Sequence, residues 1–289
     1  MSINAPETMG VIYRLQLSQL HPHPQNPFSI RDDQAMLDLI QSVQSHGVLV
    51  PAIARPRPDG EYEIIAGHRR KHASELAGLD FMPVVVLDLN DDEAIIQLVD
   101  SNIQRENILP SERAKAYKMR MEAMKRQGAR TDLTSPNISA KFRSDDELGQ
   151  EVGVSGDTIR NYASLTNLVP ELMQMVDEGR IKLSPAYQIA ALPHNEQSLL
   201  LDTIESEQAT PSLSQAQRMK RLSQNGELNE DVLLEIMMEQ KKPVRNDITL
   251  SGEKLRKYFP KSYSPIQMEN VIFKLLEAWQ RKRQRDQSR

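Results

Sequence analysis

Cysteine is absent from this 289-residue chain. That excludes disulfides, zinc fingers and cysteine nucleophiles, and it suits a reducing compartment. Aromatic residues make up only 4%, and thirteen Met join many Leu and Ala in a 39% apolar fraction that favours helical packing. No apolar run approaches the ~20 residues that span a bilayer, and residues 1–10 lack the apolar core of a signal peptide. The expected location is therefore the cytoplasm, with no membrane partner. Also missing are a nucleophilic triad, a Walker phosphate loop and an H-E-x-x-H metal helix. The length suffices for two or three domains.

The net charge of −4 conceals a strong asymmetry. Residues 80–100 hold six acids and no base, whereas residues 105–130 hold eight bases against three acids. The last nine residues add five bases and one acid. Binding to a polyanion depends on where positive charge lies, so the two basic segments outweigh the total.

Residues 11–105 read as α/β. Alternation marks a strand at 11–17, followed by a His-Pro-His-Pro-Gln-Asn-Pro loop. Asp32 is placed to cap a helix through Met36, Leu39, Ile40 and Val43, stopping at Gly47. Strands are expected at 48–54, 61–66 and 83–87, with Asp59-Gly60 as a turn. Asn90 or Asp91 caps a helix bearing Ala94, Ile95, Leu98 and Val99. Beyond Arg105 the strand signals stop. A helix starts at Pro110-Ser111-Glu112 with the stripe Ala114, Tyr117, Met121 and Met124, ends at Gly128, and carries Lys115, Lys118, Lys125 and Arg126 opposite. Residues 129–143 read as a loop. Helices follow to residue 206. The Gln- and Ser-rich stretch 209–227 reads as a linker helix or hinge. A C-terminal unit at 228–289 comprises a helix, a short strand at 247–250 and a basic-ended helix from Pro265.

Two places carry chemistry. Gly67-His68-Arg69-Arg70-Lys71 joins a β-type run to a helical run, which sets cations at the positive end of a helix dipole. An anion held by free N–H groups and guanidinium forks removes that conflict, and a phosphate-bearing ligand is the natural candidate. A surface turn with solvated arginines is the plainer reading. His68 and His72 stand at i and i+4, but the arginines beside them repel a cation, so no metal is assigned. The second place is the stretch 147–162, which has the layout of a helix-turn-helix. Leu148 and Val152 anchor the first helix, Gly153 makes the bend, and Val154, Ile159 and Leu165 anchor the second. Ser155, Gly156, Asp157, Thr158, Arg160 and Asn161 form its DNA-facing start, where Arg suits guanine and Asn suits adenine. Lys115 and Lys118 would meet phosphates. An ordinary αα-hairpin explains the apolar spacing equally well.

Gly67-His68-Arg69-Arg70-Lys71-His72-Ala73 resembles the G-E-R-R-x-R-A box of ParB-type (ParB/RepB) partition proteins. Residues 101–112, Ser-Asn-Ile-Gln-Arg-Glu-Asn-Ile-Leu-Pro-Ser-Glu, resemble their E-N-L-Q-R-E-x-L-x-P-x-E segment. The resemblance implies an α+β chain: a small α/β nucleotide-binding domain at 11–105, an all-α helix-turn-helix domain at 106–208, and a mostly helical dimerisation unit at 228–289. It implies CTP with Mg²⁺ as cofactor, and a dimeric clamp loaded at a palindromic DNA site in the nucleoid. A ParA-type ATPase is the implied partner. Gly67, His68, Arg69 and Arg70 would cradle the phosphates, and Asn102 and Arg105, on one helix face, would contact the triphosphate or its metal. Ser101 stands where the family has an acid, and Asp100 lies about 100° around a helix from it, so nucleotide binding is expected with weak hydrolysis at most. A site-specific repressor or nucleoid-occlusion factor is the alternative on this scaffold. A nucleotide-dependent phosphotransferase or nuclease is the third reading, but no general base stands beside Arg70.

Overall fold

Alternation and proline placement explain how the N-terminal strands assemble. A computed structural model describes residues 11–103, 105, 108–132, 144–239, 255, 257–260 and 262–287. Five strands, β1 (Ile12–Gln16), β2 (Leu20–Pro22), β3 (Ala52–Pro56), β4 (Tyr62–Ala66) and β5 (Phe81–Val86), form one mixed sheet. Its order is β1-β5-β3-β4-β2. The outer pairs differ in sense: β1 runs antiparallel to β5, while β2 runs parallel to β4. The sequence placed β2 in a loop. Pro22 is tolerated there because β2 is an edge strand with no outer neighbour needing its N–H. Between β3 and β4 the register shifts at Ile53/Ala54, next to the glycine corner.

Helices α1 (Gln34–His46), α2 (His68–Leu76) and α3 (Asp91–Asp100) complete this part. Asp33, not Asp32, caps α1, its carboxylate accepting from the Met36 amide at 2.9 Å. Asn90 caps α3 in a reciprocal box with Glu93. Apolar side chains gather in separate groups. Leu17, Leu20, Ala52, Ala54, Ile64, Met82 and Val84 form one, and Ile65 packs with Ala94 and Leu98 of α3. Adjacent residues of β4 are thus buried in different groups, which requires cover on both faces of the sheet.

The helical part begins with α4 (Pro110–Asp132), longer than the expected stop at Gly128. Residues 133–143 of the expected loop lie outside the described residues. Then come α5 (Ser144–Val152), α6 (Gly156–Ser164), α7 (Pro170–Asp177), α8 (Leu183–Ile189), α9 (His194–Glu207), α10 (Leu213–Gln224) and α11 (Glu230–Met238). Phe28, Val99, Ile103, Ala116, Tyr117, Leu148 and Ile159 share a core that joins the sheet domain to α4, α5 and α6. The stretch expected as a linker at 209–227 contains α10, whose Ala216 and Met219 lie in the main helical core. Residues 11–239 fall within one compact unit, which takes in the expected linker and the first helix of the unit expected at 228–289. In the second unit, α12 (Pro265–Gln287) exposes Ile266, Phe273, Leu275, Leu276 and Trp279, while Val271 and Ile272 are half-buried. The expected strand at 247–250 lies outside the described residues. Among the described residues no helix is long and apolar enough to cross a membrane.

Candidate nucleotide and DNA sites

The corner between β4 and α2 is built on Gly67. It caps α2 at φ 105°, ψ 19°, in the left-handed region that glycine enters freely. A Cβ there would stand 2.9 Å from the Ala52 Cβ and 3.2 Å from its Cα. Only hydrogen fits, and the backbone of β3 closes over the corner.

Three guanidinium groups converge on it. Arg69 reaches back to the α1 cap, its Nη2 lying 2.9 Å from Asp33 Oδ1, which holds the Asp33 carboxyl below its ordinary value. Arg70 Nη1 donates to the carbonyls of Val50 and Pro51 at 2.6 and 2.7 Å, and burial lowers its pKa. The Arg105 side chain is partly buried and makes no hydrogen bond or ion pair among the described residues. Its pKa is lowered, first by burial and then by Arg69, with Arg70 adding to the effect against Glu112. The dipole conflict seen in the sequence is thus settled inside the protein for Arg69, by a carboxylate, and for Arg70, by two carbonyls. Among the described residues the Arg105 guanidinium has no such partner, only the longer-range pull of Glu112.

His68 opens α2 and is buried, and among the described residues its Nε2 has no hydrogen-bond partner. Burial, reinforced by the charges of Arg105, His23 and Lys71, pushes the ring down to about 4, so it is neutral at physiological pH. His72, by contrast, turns its Nε2 to Asp32 at 3.0 Å. Asn102 is buried, and its amide donates to Leu98 O at 2.8 Å and Ser101 Oγ at 3.0 Å. The expected helix through Asn102 and Arg105 is not present. Helix α3 ends at Asp100, and Arg105 N bonds to Asn102 O in a turn instead.

These residues fit a polyphosphate: a corner free of Cβ, an unpaired guanidinium, two more with exchangeable partners, and an orphan ring nitrogen. Among the described residues they do not build a cage for Mg²⁺. Ser101 is bonded to Leu98 O and Asn102. Asp100, the one acid beside it, grips Arg120 through both oxygens, at 2.6 and 3.2 Å. Arg120 is itself buried and pairs again with Glu151, a helix-locking role that its sequence position did not disclose. Among the described residues no three His, Asp or Glu gather around one point.

The helix-turn-helix folds as its sequence pattern requires. Gly149 lets α5 and α6 touch, since a Cβ there would meet Val154 O at 2.6 Å. The sequence reading passed over it. Ser155 caps α6, accepting from the Thr158 amide at 3.2 Å. Leu148, Ile159 and Leu165 are buried, but Val154, expected as an anchor, is exposed. Gly156, expected to be exposed, is buried against Asp146. Arg160, expected to be free for a base, pairs with Asp157 and with buried Asp145, because the start of α5 lies beside it. Asn161, Asp157 and Lys115 are exposed, and Lys118 Nζ rests 3.2 Å from Thr166 Oγ1.

The chain matches the ParB N-terminal domain over residues 3–103 and the ParB HTH domain over residues 137–211. It is 32% identical over 187 residues to the chromosome-partitioning protein Spo0J of Thermus thermophilus, a stretch covering 65% of this chain and 62% of the relative. The match thus spans about six-tenths of that relative's length. Stage 0 sporulation protein J of Bacillus subtilis is 29% identical across 86% of this chain and 79% of its own. C-terminally truncated ParB of Caulobacter crescentus, solved on its centromeric parS site, superposes with a TM-score of 0.45 at 25% identity, covering 74% of this chain and 99% of that one. The same protein solved with CTP-γ-S gives 0.32 at 29% identity, over 63% and 93%.

Proposed function

Because the chain belongs to the ParB family, carrying both its N-terminal and its helix-turn-helix domain, we propose that it is a DNA-binding partition protein gated by CTP. The observation that supports this most directly is the unpaired Arg105 beside Arg69, Arg70 and the Gly67 corner. In this reading a bound triphosphate supplies the negative charge that the corner lacks. Arg105 turns to it first, having no partner to leave. Arg69 exchanges Asp33 for phosphate, and Gly67 admits the phosphate to the exposed amides at the start of α2. The choice of cytosine rests on the family alone.

Helix α6 reads DNA in the major groove, Asn161 contacting bases while Lys115 and Lys118 meet phosphates. The exposed apolar face of α12 serves a two-fold dimer interface, which suits a palindromic site. A ParA-type ATPase is the partner in keeping with the family. Hydrolysis is slow, because Ser101 offers a hydroxyl already bonded and Asp100 is held by Arg120.

Isothermal titration of the whole chain with CTP, and with ATP, GTP and UTP in turn, tests the reading. Micromolar binding of CTP alone is expected, lost in Arg105→Ala. The absence of any heat with CTP would overturn it. Immunoprecipitation of bound DNA across a genome should show spreading from one site, and a single compact footprint would favour a repressor.

A further inference from the structure

We propose that His68 takes up a proton when the triphosphate binds, so that nucleotide affinity rises as pH falls. The inference rests on the nucleotide reading above.

The geometry is that of a buried ring held ready for a partner. Only 7% of His68 is exposed, and its Nε2 meets no hydrogen-bond partner. A buried polar atom left unsatisfied is a standing penalty in a native fold, and a ligand group is one thing that removes it. The ring occupies the first helical position after the Gly67 corner, where α2 presents its free amides.

The groups that face the ring come from several elements. Arg105 lies beyond α3, His23 beyond β2, and Lys71 one turn along α2. His23 in turn feels Glu63 of β4, Arg55 of β3 and Asp91 of α3. Glu63 is engaged by Arg55 at 2.6 Å, and Lys71 is engaged by Glu75. Burial first, and then these positive or neutral neighbours, hold His68 uncharged. A bound triphosphate reverses the sign of that field. A proton from solvent then adds to the ring's lone pair, and the imidazolium donates from Nε2 to a phosphate oxygen, with no other bond changing.

An opposite charge within about 4–6 Å raises a pKa by roughly 1–3 units. Starting from about 4, a rise of roughly 2.5 units makes binding about fourfold tighter at pH 6 than at pH 8, with uptake of about 0.7 proton at pH 6. The experiment is calorimetric titration of CTP into the whole chain at pH 6 and pH 8, in two buffers of different ionisation enthalpy, for the native protein and His68→Gln. The terminal phosphate of CTP titrates in the same range, so the difference between the two proteins is what counts. The native chain should take up about 0.7 proton more than the variant at pH 6 and about none more at pH 8. Equal uptake in the two overturns the proposal. Should the variant fail to fold, imidazole ¹⁵N signals of the native chain decide: the His68 ring must become protonated between pH 6 and 7 with CTP bound, and a ring still neutral at pH 5 overturns it. No heat with the native chain is a separate result, which overturns the nucleotide reading itself.

Discussion

Replacing Gly67 with Ala isolates the corner on which the proposed nucleotide site stands. Two costs are legible in the structure. A residue with a Cβ at φ 105° sits in the left-handed region, at about 1–2 kcal/mol. Its Cβ also lies 2.9 Å from the Ala52 Cβ, well inside the roughly 3.5–4.0 Å of comfortable carbon contact, and such overpacking adds about 1–3 kcal/mol. The sum, about 2–5 kcal/mol, would lower a urea midpoint by roughly 1–2.5 M at a slope of about 2 kcal/mol per molar. Gly78 supplies the control, since it has φ 76° at the other end of the same helix with nothing within 4 Å of its missing Cβ. Gly78→Ala should cost only the backbone share, about 1–2 kcal/mol. Urea unfolding of both variants measures the gap, and CTP titration of each shows whether the site follows it: binding lost in Gly67→Ala and kept in Gly78→Ala. Equal destabilisation in the two would refute the claim that β3 closes over the corner.

Other consequences are open to measurement. Asn161→Ala should relax base preference by about 1–3 kcal/mol, while Lys115→Ala should weaken binding alike on all sequences and reduce the salt slope by about one. Competition gel shifts across salt concentrations separate them, and a sequence-dependent Lys115 effect would misplace α6. Arg160→Ala should lower thermal stability as well as binding, because it strands the buried Asp145 carboxylate; calorimetry that shows no change in Tm would contradict this. His68, at about 4 against an ordinary 6.5, and His23, lowered by burial, bind fewer protons folded than unfolded below pH 6.5. Stability should therefore fall as pH drops from 6.5 toward 4, by up to about 3 kcal/mol for His68, and His68→Gln should flatten that slope in urea titrations. Truncation after Glu239 should leave a folded monomer by sedimentation, since the first compact unit ends there, and an unchanged dimer would place the interface elsewhere.

The glycine corner was readable because a change of hydrophobic period from two to 3.6 flanks Gly67, and cations at a helix start demand an explanation. The helix-turn-helix was readable because Leu148, Gly153, Ser155 and Ile159 obey local rules of spacing and capping. What escaped depends on neighbours distant in sequence. Arg160 looked free because nothing in the sequence sets Asp145 beside it. Helix α10 looked like a linker because its polar content was taken as exposure, yet Gln215 is buried and donates to Ile236 O at 2.6 Å. A buried glutamine with its partner in place is as much a core residue as a leucine. Short β2 was hidden by its own proline, Pro22, which an edge strand tolerates.

Glu112 marks the limit of local reading most clearly. By sequence it is a helix starter. In the fold its buried carboxylate accepts from the Ser29 amide at 2.9 Å and the Leu109 amide at 3.1 Å, with Arg31 Nη2 at 3.7 Å. One side chain thus ties the loop before α1, the first turn of α4 and, electrostatically, Arg105. Whatever draws Arg105 away changes the field at the residue that fixes where α4 begins, and α4 carries the basic face next to the helix-turn-helix. The Gly67 corner and the helix-turn-helix unit therefore share a charged group. A ligand can shift that joint only by the difference in its affinity for the two arrangements, and an unpaired Arg105 is where such a difference arises.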